Sequence, residues 1–367
     1  MWKRILFPLL LAAVRAEWTV NNQFIFYNDT PFLIKGSSWH GLESCAFAPA
    51  GLWAHNVSWY LDFLQENRFN VLRVPFSQQW VQDGYKTISP SEDTVSGCDE
   101  CKGKTSFEIL DTVFREAESR GIYILLDMHR HSCAWQDTEL WYSLSEGRYN
   151  SDSFFETWEK LLEDFEGRSN FIGIDLLNEP RGVACWCDKK EYSWNMFVEY
   201  AFQRLDVSKR DFLLFVEGTD WGKDFSGLKS TNLDVNYSKI VFSPHAYGPL
   251  VTHVPFVDDP LTLRADWENK FGYLATPPYS HALVIGEFGA IANSIDFTWL
   301  QRFVSFLVDF KICGIFWTLT PNSADTGGLL QNDYTTPEKD KLELLDTLQP
   351  NPTFFPPQVK LRRKLLR

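Results

Sequence analysis

Basic residues are in short supply in this chain: 35 Lys and Arg stand against 48 Asp and Glu, a formal net charge of −13. A nucleic-acid backbone or an anionic membrane attracts clustered cations, so this balance argues against either partner. Beyond the first residues no apolar run approaches the roughly 20 residues needed to cross a bilayer core. No Gly-rich phosphate loop follows the first apolar strand, which argues against a dinucleotide cradle. Cys98 and Cys101 lack a second ligand pair at zinc-site spacing. Internal repeats, low-complexity linkers and composition breaks are missing too, so nothing divides the chain into modules.

What is present is enough for one large globular domain: 367 residues, 44% of them hydrophobic. The 15 Trp form an unusual count. Some must pack in the core, but indole faces also stack on the apolar faces of sugar rings. Lys3 and Arg4, an apolar run over 5–14 and Val14-Arg15-Ala16 read as a signal peptide cleaved after Ala16. On that reading the mature protein is secreted and has no membrane partner. Asn56-Val57-Ser58 and Asn236-Tyr237-Ser238 are glycosylation acceptors, and Asn28-Asp29-Thr30 is a weaker one because Pro31 follows. Seven Cys in an oxidising compartment should mostly pair. Cys98 and Cys101 are close enough to bridge each other, and Cys313, in an apolar run, is the expected buried odd thiol.

The recurring pattern is an apolar strand, a loop and an amphipathic helix. Strands are expected over 32–37, 71–75, 122–127, 172–177, 212–216, 240–244, 283–287 and 314–318. Helices are expected over 57–67, 106–119 and 296–310, where apolar residues recur at spacings of three and four. Eight such strands predict a (β/α)8 barrel spanning 17–348 as a single domain. A doubly wound open sheet is the competing architecture. A hairpin over 18–27 would close the barrel bottom, and 349–367, Pro-rich and then basic, is expected to be a solvated tail.

Polar residues gather at the strand ends: Arg73, His129, Asn178 with Glu179, His245 with Tyr247, Glu287 and Trp317. The carboxyl ends of barrel strands are where this fold places its chemistry. Two of these ends carry a glutamate after an apolar run, Ile174 to Glu179 and Leu283 to Glu287. Splitting a glycosidic bond requires such a pair, one proton donor and one nucleophile or base. Arg73 and Tyr247 would hold the nucleophile by hydrogen bonds. Asn178 would bond a sugar 2-hydroxyl, and Trp317 would floor the subsite at the cleavage point.

The ordered set Leu72-Arg73-Val74-Pro75, Leu126-Asp127-Met128-His129-Arg130, Leu140-Trp141-Tyr142, Asn178-Glu179-Pro180, Gly286-Glu287-Phe288-Gly289 and 324–330 resembles glycoside hydrolase family 5, closest to its bacterial endo-β-1,4-glucanase branch. The resemblance implies a retaining double displacement with Glu179 as acid/base and Glu287 as nucleophile. Their carboxyls should then stand roughly 5–5.5 Å apart. It implies no metal and no organic cofactor, a β-glucan substrate and a monomer at work. Trp39 and His40, after the first strand, are expected to line a glycone subsite and Trp221 to form another platform, with core or rim packing the alternative for each Trp; Asp325 would bond sugar hydroxyls or shape its turn. Glu217, ending the fifth strand, takes a supporting place. Cys45 and Cys133 match a bridged pair; Cys185 and Cys187 match another but are spaced one residue closer, which leaves that bridge open. His131 and Trp135 depart from the pattern in a loop lining the cleft. The same chemistry serves β-mannan, β-1,3-glucan, xyloglucan or a glycolipid headgroup, and a carbohydrate-binding protein without catalysis is the reading from another class.

Overall fold

In the computed structural model, residues 17–134, 140–188, 191–321 and 326–356 are described. The expected signal peptide, the basic end 357–367, Trp135 and Asp325 lie outside them. Three short strands, β1 (Trp18–Asn21), β2 (Phe24–Tyr27) and β3 (Thr30–Pro31), form an antiparallel sheet, one strand more than the expected hairpin. The main sheet contains β4 (Lys35–Ser38), β5 (Val71–Ser77), β6 (Tyr123–Arg130), β7 (Phe171–Asp175), β8 (Leu213–Val216), β9 (Ile240–Phe242), β10 (His245–Tyr247), β11 (Val284–Gly289) and β12 (Cys313–Phe316). All its neighbours run parallel, in the order β10-β11-β12-β4-β5-β6-β7-β8-β9.

The two ends of that order are halves of one strand. Ser243 and Pro244 separate β9 from β10, because a proline cannot donate to the ladder. Phe242 N–H reaches the Ala282 carbonyl at 2.9 Å, and Gly286 N–H reaches the Pro244 carbonyl at 2.9 Å. The sheet therefore closes on itself as a (β/α)8 barrel whose sixth strand is broken at Pro244. Helices cover its outside. Val57–Glu66, Ser106–Ser119 and Ile295–Phe310 fall within one residue of their expected bounds. Their ends follow from capping: Thr105 and Glu108 form a reciprocal capping box, and Asn56 and Ser294 each accept a backbone N–H of their first turn.

Along each strand alternate residues point inward, and the inward set changes character with height. At the amino end the interior is apolar: Ile34, Val71, Leu125, Ile172, Leu213, Val241, Val284 and Ile315 pack with Trp18 and Tyr27 of the small sheet. Trp18 anchors that plug, its indole N–H donating to the Phe171 carbonyl at 3.0 Å. The first part of the expected solvated tail belongs here as well. Thr353 N–H donates to the Leu33 carbonyl at 3.1 Å, and Phe355 stacks on Phe32 at 5.9 Å between ring centroids. Burying Phe355 against Tyr27, Phe32 and Tyr123 removes apolar surface from water, which a solvated tail would leave exposed.

Disulfides join Cys45 to Cys133, Cys98 to Cys101 and Cys185 to Cys187. Cys313 is free and half-buried, less enclosed than its apolar run suggested, with Gln349 against its sulfur. The Cys45–Cys133 bridge spans a sequence separation of 88 and ties the loops after β4 and β6. Closing so long a loop constrains the unfolded chain most. Changing both Cys to Ala is expected to lower unfolding stability by about 2–4 kcal/mol in denaturant titration. An unchanged midpoint would show that the bridge adds nothing to stability.

Candidate active site

The upper interior of the barrel is charged. In the sheet register Pro75, Asp127 and Asp175 stand side by side on β5, β6 and β7, so two buried acids are neighbours. Arg73, fully buried one pleat below, reaches up between them. Its Nε donates to Asp175 Oδ2 at 3.0 Å, and Nη2 lies 3.0 Å from Asp127 Oδ2 and 3.3 Å from Glu217 Oε1. Nη2 also donates to Asn178 Oδ1 at 3.0 Å, and Nη1 donates to Glu287 Oε1. One planar guanidinium thus organises residues from four other strands or the loops that follow them, a task for which its forked donors are suited.

Glu179 and Glu287 meet above this layer. Register pairs His245 with Glu287 across β10 and β11. Tyr247 OH donates to Glu287 Oε2 at 2.8 Å, so both oxygens of that carboxylate are held. The Glu179 carboxylate takes a hydrogen bond from His245 Nδ1 at 3.1 Å. One oxygen each of Glu179 and Glu287 lie within 4.8 Å of each other and of His245. His245 Nε2 is 3.1 Å from Glu217 Oε1, a charge contact rather than an aligned hydrogen bond.

A cavity of ≈ 530 Å³ opens over the pair, lined among others by His40, Glu43, Trp53, His129, Arg130, Tyr247 and Trp317. His129 stacks flat on Trp317 at 5.3 Å and 4°. Most of the expected residues therefore converge: Arg73, His129, Asn178, Glu179, His245, Tyr247, Glu287 and Trp317. Trp39 does not. It is fully buried, donates to the Ala50 carbonyl at 2.8 Å and packs on Tyr60, so it is a core residue beneath the cleft. The reason is alternation: His40, the next residue, takes the cleft side. Trp221 stands away from this cavity, half-exposed, with the Arg181 guanidinium 4.1 Å from its ring centroid. Trp53, exposed on the cleft rim and braced edge-on by Tyr334 at 4.8 Å, escaped the sequence reading because it ends no strand. Asp127 and Asp175 also escaped it, although an acid inside an apolar strand run is a visible signal.

Two cations, Arg73 and His245, face five carboxyls in this layer. Burial alone would lower Arg73, but Asp127, Glu287, Asp175 and Glu217 hold it well above its ordinary value. Burial likewise works against His245, yet Glu217, Glu287 and Glu179 keep it well above its ordinary value as an imidazolium. Burial, with Glu287 nearby, pushes Asp127 up to about 8, against the pull of Arg73. Burial and Asp127 push Asp175 to about 7. Glu217 is raised well above its ordinary value by burial and by Asp175. Asp127 Oδ1 and Asp175 Oδ1 have no hydrogen-bond partner among the described residues. Burial lowers His129 to about 3 and His131 to about 4, so both rings are neutral. The triads that could bind a metal draw on these same residues. Arg73 and His245 already supply the positive charge there, so the donor set does not fit a cation.

These shifts set the sign of the pH dependence of stability. Between about pH 4 and 6.5 the unfolded chain binds protons at His129 and His131 that the folded protein refuses, so stability gains with pH from those groups. In the same range Asp127 holds a proton that the unfolded chain has lost, which acts the other way. Above pH 6.5 the second sign dominates: His245 and Glu217 keep protons that the unfolded chain releases, as do Asp127 until about pH 8 and Asp175 until about 7. Stability should fall from pH 6.5 to 8, by about 1.4 kcal/mol per pH unit for each such proton. Denaturant titrations of wild type and Asp127→Asn check this: the variant should show the shallower decline, and parallel declines would exclude Asp127 as a source.

Comparison with known proteins agrees with this geometry. The sequence profile of cellulase, glycosyl hydrolase family 5, matches residues 27–323. The chain is 32% identical over 363 residues to the major extracellular endoglucanase of Xanthomonas campestris pv. campestris, covering 93% of this chain and 73% of that protein. It is 29% identical over 349 residues to an endoglucanase of Paenibacillus polymyxa, covering 89% and 85%. An endocellulase from Pyrococcus horikoshii, solved with cellotetraose, superposes with a TM-score of 0.84 at 28% identity, covering 91% of this chain and 98% of that one. The catalytic domain of the Xanthomonas enzyme gives 0.83 at 30% identity, covering 91% and 100%. Barrel, paired carboxylates and sequence together make this chain a member of glycosyl hydrolase family 5, an endoglucanase-like glycoside hydrolase.

Proposed function

We propose that this enzyme is a secreted endo-β-1,4-glucanase that retains anomeric configuration, with Glu287 as nucleophile and Glu179 as acid/base. The observation that carries the proposal is that one oxygen of Glu179 and one of Glu287 lie within 4.8 Å of each other. That spacing suits direct attack by one of them. The roughly 6.5–9.5 Å of an inverting pair would leave room for a water instead. Cellotetraose in the Pyrococcus horikoshii structure supports a β-1,4-glucan as substrate. The apolar segment at 5–14 and the extracellular relative support secretion. Among the described residues no helix is long and apolar enough to cross a membrane.

The first step forms a bond between a Glu287 oxygen and the anomeric carbon while the glycosidic bond breaks. The departing sugar oxygen takes the proton of Glu179. Arg73 and Tyr247, one on each oxygen, fix the Glu287 carboxylate below the ring. In the second step water attacks the same carbon, Glu179 takes its proton, and Glu287 leaves as the carboxylate. Asn178 spends its carbonyl oxygen on Arg73, which leaves the amide N–H groups for the sugar 2-hydroxyl. Neutral His129 over Trp317 and half-exposed Trp53 line the cleft above the two carboxylates.

Reducing-sugar release from carboxymethyl-cellulose, mixed-linkage β-glucan, mannan, xylan and laminarin tests the substrate. Release from the two β-1,4-glucans, with the β-anomer formed first by NMR, is the expected result. Faster release from mannan, xylan or laminarin would move the specificity to that polymer. A folded protein that binds cellulose and releases nothing would be a binding protein.

A further inference from the structure

Glu179 has a left-handed backbone, φ 50°, although it is not a glycine. Such a conformation costs about 1–3 kcal/mol and survives only where the surroundings over-determine it. The local sequence does not ask for it, since Pro180 biases its predecessor toward extended backbone. The determinants are two side chains, Glu217 at the end of the next strand and Arg181 two residues on. Glu179 N–H donates to Glu217 Oε2 at 2.7 Å, and the Glu179 carbonyl accepts from Arg181 Nη1 at 3.0 Å. Both peptide groups of this one residue are therefore gripped, one by a buried carboxyl and the other by a guanidinium.

The grips are themselves fixed. Glu217 is fully buried, and its other oxygen faces Arg73 at 3.3 Å and His245 at 3.1 Å. Gly222, φ 73°, leaves room for it: a Cβ there would stand 2.6 Å from Glu217 Oε2. Arg181 is nearly buried, with Trp221 over its guanidinium. Neither residue lines the cavity above the carboxylates.

We propose that Glu217 and Arg181 are positioning residues that clamp the backbone of Glu179 in its left-handed conformation and so aim its carboxyl at His245 and the leaving oxygen. The inference rests on the reading of Glu179 as acid/base, and it adds two residues that act through Glu179 without touching substrate. Glu217 is specific to the task because both its oxygens face donors. Glutamine has one oxygen, so it must turn its NH₂ toward either Glu179 N–H or the Arg73–His245 side.

The test uses the dependence of catalysis on the leaving group. A sugar hydroxyl leaves only with a proton; 2,4-dinitrophenolate leaves without one. kcat/KM, which reports the first bond-breaking step, is measured on cellotetraose and on 2,4-dinitrophenyl β-cellobioside for wild type, Glu179→Gln, Glu217→Gln, Arg181→Met and Arg181→Lys. Glu179→Gln should lose roughly 10²–10⁴-fold on cellotetraose and little on the aryl glycoside. Glu217→Gln and Arg181→Met should show the same split, roughly 10-fold or more against under about 3-fold. Arg181→Lys, which keeps a donor, should fall between. Arg181→Met keeps the charged layer below intact, so it serves if Glu217→Gln does not fold. Equal losses on both substrates, or none, beside an intact split in Glu179→Gln would overturn the clamp. No split in Glu179→Gln would overturn the acid/base reading itself, and the clamp with it.

Discussion

Glu287→Gly is expected to abolish hydrolysis of β-glucan, with kcat reduced on the order of 10⁴-fold or more, since the covalent intermediate can no longer form. Azide should restore cleavage of 2,4-dinitrophenyl β-cellobioside by occupying the vacated space beside Arg73 and Tyr247, both of which keep their donors there. Because azide then attacks from the nucleophile's side, the product should be the α-glycosyl azide. In Glu179→Gln the glycosyl-enzyme still forms with this substrate, and azide attacks it from the opposite face to give the β-azide. NMR of the two products reads the assignment directly, since exchanged stereochemistry would exchange the roles. A residual rate in Glu287→Gly within 10-fold of wild type, free of azide, would place the nucleophile elsewhere.

The barrel was legible because parallel strands buried on both faces read as apolar runs, and eight of them stand at helix-length spacing. The two glutamates were legible for the related reason that each interrupts such a run at its carboxyl end. What sequence alone hid is three-dimensional. The break of the sixth strand is written in Pro244, but the closure through Ala282 and Gly286 depends on which strand lies beside it. Trp39 and His40 are adjacent in sequence, and only the pleat decides which enters the cleft. Trp53 reaches the cleft from a loop, with no periodicity to announce it. Phe355 lies in a Pro-rich stretch that reads as a tail, and its partners Tyr27 and Phe32 are more than 300 residues away in the chain. Arg73 was visible as one strand-end residue, whereas its four carboxylate partners come from four other strands or the loops that follow them.

That convergence gives Arg73→Met the largest expected effect on stability. The substitution keeps the volume of the stem but removes the guanidinium that contacts Asp127, Asp175, Glu217 and Glu287 together, leaving His245 as the one cation of that layer. Buried acids left with too little counter-charge must either take up protons or pull in water, and breaking a buried pair in this way costs about 3–5 kcal/mol. Arg73→Lys should recover only part of that loss, because an ammonium on a flexible stem cannot reach several carboxylates at once as a planar fork does. Denaturant midpoints for the two variants should rank wild type, Lys, Met. The pH at which they are taken discriminates the mechanism. Without the guanidinium the acids of this layer hold their protons more tightly, so the deficit of Arg73→Met should be larger at pH 8 than at pH 6. Equal deficits at both pH values would mean that Arg73 stabilises the barrel by packing and hydrogen bonding alone. Activity adds an independent reading, since Arg73 Nη1 holds one oxygen of Glu287. The loss of kcat in either variant should then appear on the dinitrophenyl substrate as strongly as on cellotetraose, the opposite of the pattern expected when Glu179 is disturbed.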